Sequence, residues 1–229
     1  MRTLSASTLL IVVSISAHGQ FVDKEPAILS FGLSLSVKYH HIDVSKLNDF
    51  LRSNDLKDVK SGYGNIGAGI NYKFNRHFFE VAGDVDINET TAYNDSDIGT
   101  SSYGYSMNIN YGYELKLYDQ FKIMPYLGIS RTTFKTKISD KAGPNFEFQN
   151  VTTDRNSISL DNDTFSVNPG AKIWMPLGDG DFSYIVLDVG YGFKTSSKWT
   201  IDDATVDNAP EINPSGMKIG VTFLFMMCR

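Results

Sequence analysis

The sequence predicts an all-β fold, a closed antiparallel up-and-down transmembrane β-barrel of eight strands. Three observations carry that expectation. Eight segments alternate apolar and polar residues with a period of two, and the connections between them alternate between tight turns and long polar stretches. No run of about 18 apolar residues exists from which a membrane-spanning helix could be built.

The opening residues stand apart from that pattern. MRTLSASTLLIVVSISAHGQ places Arg2 before an apolar stretch from Leu9 to Ile15, followed by a small-residue exit at Ala17-His18-Gly19. This is the layout of a secretory signal peptide, and its apolar part is too short to cross a bilayer. Cleavage is expected after Gly19, so residues 1–19 form the leader and residues 20–229 a single barrel domain. Loss of Arg2 leaves 20 basic residues against 26 acidic, a net charge of −6. An acidic chain without a basic stripe is not built for nucleic acid. Cys228 is the one cysteine, so no intramolecular disulfide staples the exported domain.

The strands follow in order. In the first, Leu29, Phe31, Leu33, Leu35, Val37 and Tyr39 share one face, with Ser30, Gly32, Ser34, Ser36 and Lys38 on the other. The second sets Ile66, Ala68, Ile70, Tyr72 and Phe74 against Asn65, Gly67, Gly69, Asn71 and Lys73. The third sets Phe79, Val81, Gly83, Val85 and Ile87 against Glu80, Ala82, Asp84 and Asp86. The fourth runs from Tyr103 to Leu115, with Met107, Ile109 and four tyrosines on its apolar face and Asn108, Asn110 and Glu114 opposite. In the fifth, Phe121, Ile123, Leu127 and Ile129 alternate, and Pro125-Tyr126 interrupts the pattern. The sixth sets Phe165, Val167, Ala171, Ile173 and Met175 against Ser166, Asn168, Gly170 and Lys172. The seventh sets Ile185, Leu187, Val189, Tyr191 and Phe193 against Asp188, Gly190, Gly192 and Lys194. KIGVTFLF closes the chain, with Ile219, Val221, Phe223 and Phe225 on one face.

Tight turns are expected at Asn75-Arg76, Tyr118-Asp119-Gln120 and Gly178-Asp179-Gly180, and long polar connections follow the first, third, fifth and seventh strands. Within the first long connection, Ser45 is placed to cap a short helix with Leu47, Phe50 and Leu51 on one face, expected to pack on its own loop.

The composition of the two faces decides between a water-soluble barrel and one in lipid. The polar face is mostly Ser, Gly, Asn and Thr. It carries Lys38, Lys73, Lys172, Lys194 and Lys218 against Glu80, Asp84, Asp86, Glu114 and Asp188, five charges of each sign. Balanced charges suit a crowded interior in which they pair. The apolar face is aliphatic at mid-strand and aromatic towards the ends, as a lipid-facing band with girdles would be. Trp174 and Trp199 lie far from the first strand, so the opening Gly-x-Trp pattern of lipocalins is missing. The apolar face is read as touching lipid.

With these residues in view, the mature chain resembles the small eight-stranded outer-membrane β-barrels of Gram-negative bacteria, the porin-like barrels in the broad sense. Lys218, Gly220, Phe223 and Phe225 are similar to the C-terminal assembly signal of that class, and Met124-Pro125-Tyr126-Leu127-Gly128 is similar to a stretch common in it. Met226-Met227-Cys228-Arg229 follow where such chains usually stop at the terminal aromatic. The resemblance implies residence in the outer membrane, contact with outer-membrane lipid and lipopolysaccharide, and handling by the barrel-assembly machinery.

The function expected first is non-enzymatic: a barrel whose lumen is mostly filled by side chains, with surface loops serving structural, adhesive or recognition roles. The alternatives are a narrow porin-like channel for small solutes and a lipid-modifying outer-membrane enzyme. Eight strands enclose room for side chains or one small ligand, which disfavours the channel. An enzyme would need a Ser–His pair at the membrane rim, and the mature histidines are His40, His41 and His77. His77 flanks a tight turn, while the adjacent pair reads as solvated surface. No catalytic set, cofactor motif or metal site emerges. Asp95-Ser96-Asp97 and Asp161-Asn162-Asp163 offer oxygen ligands without the Gly and bidentate Glu of a calcium loop. The sequons at Asn88, Asn94, Asn150 and Asn162 read as chance, and no residue pattern names a loop ligand.

Overall fold

The computed structural model describes residues 29–87, 90–93, 98–118, 121–140, 157–178, 182–201, 204–205, 212–213 and 215–228. The stretch read as a leader, Asp95-Ser96-Asp97, the tips of two of the tight turns, and Asn88, Asn94 and Asn150 lie outside these residues.

Eight long strands make the wall: β1 (Leu29–His41), β2 (Gly62–Phe74), β3 (His77–Asp86), β4 (Ile98–Tyr113), β5 (Phe121–Asp140), β6 (Ser157–Pro176), β7 (Ser183–Ile201) and β8 (Gly216–Cys228). Each pairs antiparallel with its neighbours in the chain, and β1 pairs with β8 from Ser30↔Cys228 to His40↔Lys218. That last ladder closes the barrel and leaves no wall edge open, which a sheet in hydrocarbon requires. The short strands Thr90–Tyr93, Leu115–Tyr118 and Ala204–Thr205 add to the ends of β4, β5 and β7.

The period-two expectation holds along the wall. In β1 exposed and buried residues alternate from Leu29 to Val37, and β3 repeats the pattern. The exposed set is the apolar one: Leu35 is 59% exposed, Val37 58% and Ile129 58%. Around the barrel the outward residues form one continuous apolar band. Towards the turns it ends in Phe31, Tyr72, Phe74, Phe79, Tyr111 and Phe225, and towards the long connections in Tyr39, Tyr105, Phe165, Tyr191 and Phe193. Within the first girdle, Phe79 lies 5.1 Å from Tyr111 and 6.4 Å from Tyr72, ring centre to ring centre. A band of this size bathed in water would drive association, so lipid is its solvent.

The hairpin between β2 and β3 closes in two residues, Asn75 and Arg76, with Phe74 paired to His77. Asn75 takes φ 54°, a left-handed geometry that asparagine tolerates and most residues avoid.

Three strands are about twice as long as a membrane crossing needs. β5 and β6 have 20 residues each and β7 has 19, against the roughly 10 that span an outer membrane. The apolar period read from the sequence covers only the lipid-facing part. The extensions continue as paired strand from Arg131 to Ser139, opposite Phe165 to Ser157. The long connection expected after the fifth strand therefore starts as strand, up to Asp140, and ends as strand, from Ser157.

The first long connection holds helix α1 (Ser45–Ser53), and its details correct the sequence reading. Ser45 does not cap it: the helix starts at Ser45, and the Ser45 N–H donates to Asp43 Oδ1 at 3.0 Å. That donor holds the Asp43 carboxyl below its ordinary range. Leu47 and Leu51 are fully buried, but Phe50 is exposed. The helix also does not pack on its own loop alone. Leu47 and Leu51 join Ile42, Val44 and Val59 of the connection to Tyr63, Phe134 and Trp199 of the barrel wall, and to Ile212. An Asp43–Asn213 bridge, N–H to carbonyl in both directions at 2.9 and 3.0 Å, ties the connection to the segment preceding β8.

Candidate functional site: the lumen and its two ends

The inward face has three layers. At the long-connection end lies the apolar cluster just described, where Tyr63 and Phe134 meet edge to face at 5.4 Å. At the turn end lies a second cluster of Phe78, Met124, Trp174, Tyr184, Val186, Leu224 and Met226. Trp174 stands 5.2 Å from Phe78 and 5.1 Å from Tyr184 by ring centres. Between the two apolar layers the lumen is polar.

All ten charged residues singled out in the sequence stand on the inward face, and the polar layer pairs most of them. Lys38 Nζ reaches both oxygens of Asp84, at 2.9 and 3.2 Å. Asp84 also accepts from Asn108 Nδ2 at 2.7 Å and from Ser106 Oγ at 3.4 Å. Lys172 lies 2.5 Å from Glu80 and 3.6 Å from Asp188. Glu80 accepts a further bond from Asn110 at 2.6 Å, and Asp188 one from the Tyr126 hydroxyl at 2.9 Å. Asn65 donates to Asp86 at 2.6 Å. Lys218 donates to Asn168 Oδ1 at 3.1 Å, and Lys194 reaches the Ile212 carbonyl near the mouth at 3.4 Å. Lys73 pairs with Glu114 beside the turns. A charge taken from water needs such partners, because unpaired it would cost several kcal/mol.

Glycines on this face make room for the network. A Cβ at Gly67 would fall on the Asp84 carboxylate, and one at Gly128 on the Asn110 amide. Gly170 and Gly190 both lie against Tyr126. The strand runs unbroken through Pro125-Tyr126, so Tyr126 stands at the inward parity it shares with Met124 and Gly128, lies across two bare stretches of wall and holds Asp188.

A polar cavity of about 40 Å³ lies among Lys38, Asp84, Asn108, Asn168, Asp188 and Lys218, room for a few waters at most. The two apolar clusters were not foreseen from the sequence. Their trace was present: Phe78, Met124, Trp174, Val186 and Leu224 occupy the polar parity of their strands, close to the turns.

The other candidates separate. Asp161 and Asp163 face outward, paired to Lys135 at 2.8 Å and Arg131 at 2.7 Å, while Asn162 between them is buried and bonded to Ser197. The carboxylates serve ion pairs, and the Asn162 sequon points into the wall. His77 Nδ1 lies 2.9 Å from the Tyr111 hydroxyl on the outer surface. His40 is buried on the inward face and His41 is exposed. Among the described residues no group of three His, Cys, Asp or Glu side chains could hold a metal ion.

A closed eight-stranded barrel with an apolar outer band and a polar lumen defines a transmembrane barrel of the outer membrane. The chain belongs to the family described as the outer membrane protein beta-barrel domain, which matches residues 6–225. No curated protein matches it. Among solved structures it is similar to a major outer membrane protein from Thermus thermophilus, at 9% identity and TM-score 0.55, covering 86% of this chain and 99% of that one. It is less closely similar to OprG from Pseudomonas aeruginosa (10% identity, 88% and 95% covered, TM-score 0.46). Neisserial surface protein A is a further match (10% identity, 89% and 99% covered, TM-score 0.42). At 9% identity the first likeness is one of fold.

Proposed function

We propose that this outer-membrane protein is a sealed, non-enzymatic barrel that acts through its long-connection end in a structural, adhesive or recognition role. The observation that carries the reading is the apolar layer at each end of the lumen, with paired charges between. A conducting pore needs a continuous wet path, and here Trp174 and Phe78 fill one end while α1 fills the other. The long connections are placed outside the cell and the tight turns in the periplasm. Residues 1–19 are read as a leader removed on export, and Lys218, Gly220, Phe223 and Phe225 as the signal read by the assembly machinery. Phe223 and Phe225 project outward from the end of β8, where a partner could reach them before the barrel closes.

Planar-bilayer recording of the refolded mature protein tests the reading. Silence is expected. Discrete openings in the parent protein would replace the sealed scaffold with a channel.

A further inference from the structure

We propose that the inward wall behind helix α1, on the long extensions of β4, β5 and β7, binds a neutral sugar residue, and that the connection carrying α1 is the displaceable cover of that site. The site deepens the recognition role proposed above and rests on it.

The wall carries hydrogen-bonding groups that the cover leaves unused. Thr136 Oγ1, Thr100 Oγ1 and Trp199 Nε1 have no hydrogen-bond partner among the described residues, although their residues are only 0%, 1% and 6% exposed. They belong to one patch. Thr136 stands between Phe134 and Ile138 on β5, and Thr100 pairs with Ile138 across the β4–β5 ladder. Asn162 of β6 links Phe134 to Trp199 in the register. Phe134, Ile138 and Trp199 are also among the residues that Leu47 and Leu51 of α1 cluster with. A buried donor or acceptor without a partner is costly, because its bond to water is lost and nothing replaces it. The side chains of leucines cannot supply one.

The cover holds together as a piece. Asn48 of α1 donates from Nδ2 to the Val59 carbonyl at 3.0 Å and accepts from the Val59 N–H at 2.9 Å, while Arg52 grips Asp58. These bonds fold the helix and its return onto each other. Apolar contacts seat the unit on β5 and β7, and they can part without breaking any strand pairing.

Chemistry selects the ligand. Two hydroxyls, each both donor and acceptor, and an indole N–H match a molecule with several hydroxyls of its own. Tyr63, Phe134 and Trp199 add aromatic surface for the C–H face of a pyranose ring. At this height the inward residues Ser102, Ile138 and Leu160 are uncharged, and Arg131, Lys135 and Lys137 face outward. Asp86 lies lower, over Gly104, and is held by Asn65. A charged ligand would meet no counter-charge beside the threonines. A purely apolar one would leave the three groups as unpaired as α1 does.

The folded mature barrel would be placed in phosphocholine-detergent micelles, whose headgroup is not a sugar. Titration with glucose, galactose, mannose, N-acetylglucosamine and maltose would be read by saturation-transfer NMR of the sugar signals. At least one sugar should bind saturably. Leu51→Ala, which loosens the cover, should bind it several-fold more tightly. Thr100→Val/Thr136→Val keeps the shape of the wall and should bind it roughly tenfold more weakly, the worth of two ordinary hydrogen bonds. Because those hydroxyls have no partner in the closed barrel, the same double variant should melt no lower than the parent. No saturable binding of any of the five sugars, even by the Leu51→Ala barrel, would overturn the proposal. So would equal affinity of the parent and T100V/T136V, or a clear loss of stability in T100V/T136V, which would make the hydroxyls structural. Absence of sugar binding in a barrel that is silent in planar bilayers would remove this site alone and leave the sealed scaffold standing. Discrete openings with sugar binding intact would do the reverse.

Discussion

Asp84 is the acceptor on which the middle of the lumen converges, and its loss isolates its effect from the rest of the fold. Asp84→Ala leaves Lys38 without its carboxylate and Asn108 without its acceptor. Lys38 keeps some access to water, so the cost should fall near the lower end for a broken buried pair, about 3 kcal/mol. The shift of the folded band to the unfolded band on heating, read by gel mobility, measures it. An exposed pair sets the contrast. Arg52 lies 2.9 Å from Asp58 in the first long connection, and Asp58→Ala should leave the transition almost where it is because both groups keep their water. Equal melting of the Asp84 variant and the parent would mean that the lumen network contributes nothing to stability. Much of this network was legible in the sequence, because inward parity alone placed Lys38, Glu80, Asp84, Lys172 and Asp188 on one face. Parity names a face but not a height, so it could not tell which lysine meets which carboxylate. That depends on strand stagger around a closed barrel.

At the scale of elements the sequence was most informative where apolar and polar residues alternate, and least where strand continues without apolar residues. The upper half of β5, Arg131 to Asp140, alternates Thr, Ser and Lys with little hydrophobic contrast and reads as loop, yet it pairs on both sides. Its backbone should resist protease although its side chains are exposed. Trypsin added to the barrel in vesicles should spare Lys135 and Lys137; rapid cutting at either would mean that the extension is not stable strand. Helix α1 was legible as a helix from Leu47 and Leu51, but not as a stopper, because its partners Tyr63, Phe134 and Trp199 lie on distant strands. Leu47→Ala or Leu51→Ala should cost the connection about 2–5 kcal/mol of local packing. The expected readout is faster tryptic cleavage at Arg52 and Lys57, with the heat-modifiable mobility of the barrel unchanged. Cleavage no faster than in the parent would mean that the helix is held by its bridge at Asp43 and Asn213 rather than by burial.

For the whole molecule, the deciding quantity is which solvent each face demands. The polar face is satisfied inside, by ion pairs and amides, and the apolar face is left outside with nothing among the described residues to cover it. Ile109 and Val221 stand outward near mid-strand, 53% and 40% exposed. An arginine at either position would sit in hydrocarbon and should cost about 2–4 kcal/mol in a bilayer, falling towards zero for the same change near an interface. Depth dependence is the discriminating feature: Phe225→Arg, in the girdle, should cost less than Val221→Arg, four residues deeper. Stability measured in vesicles by denaturant titration gives the ordering. Equal costs along β8 would mean that the strand does not cross a membrane. The same partition of faces predicts how the mature protein behaves outside lipid. It should fold to a heat-modifiable barrel in detergent or vesicles and aggregate in plain buffer, since its outer band has no other partner. A monodisperse, folded protein in detergent-free buffer would show instead that the outer band tolerates water, and the lipid-facing assignment of Leu33, Leu35, Val37 and their neighbours would fall with it.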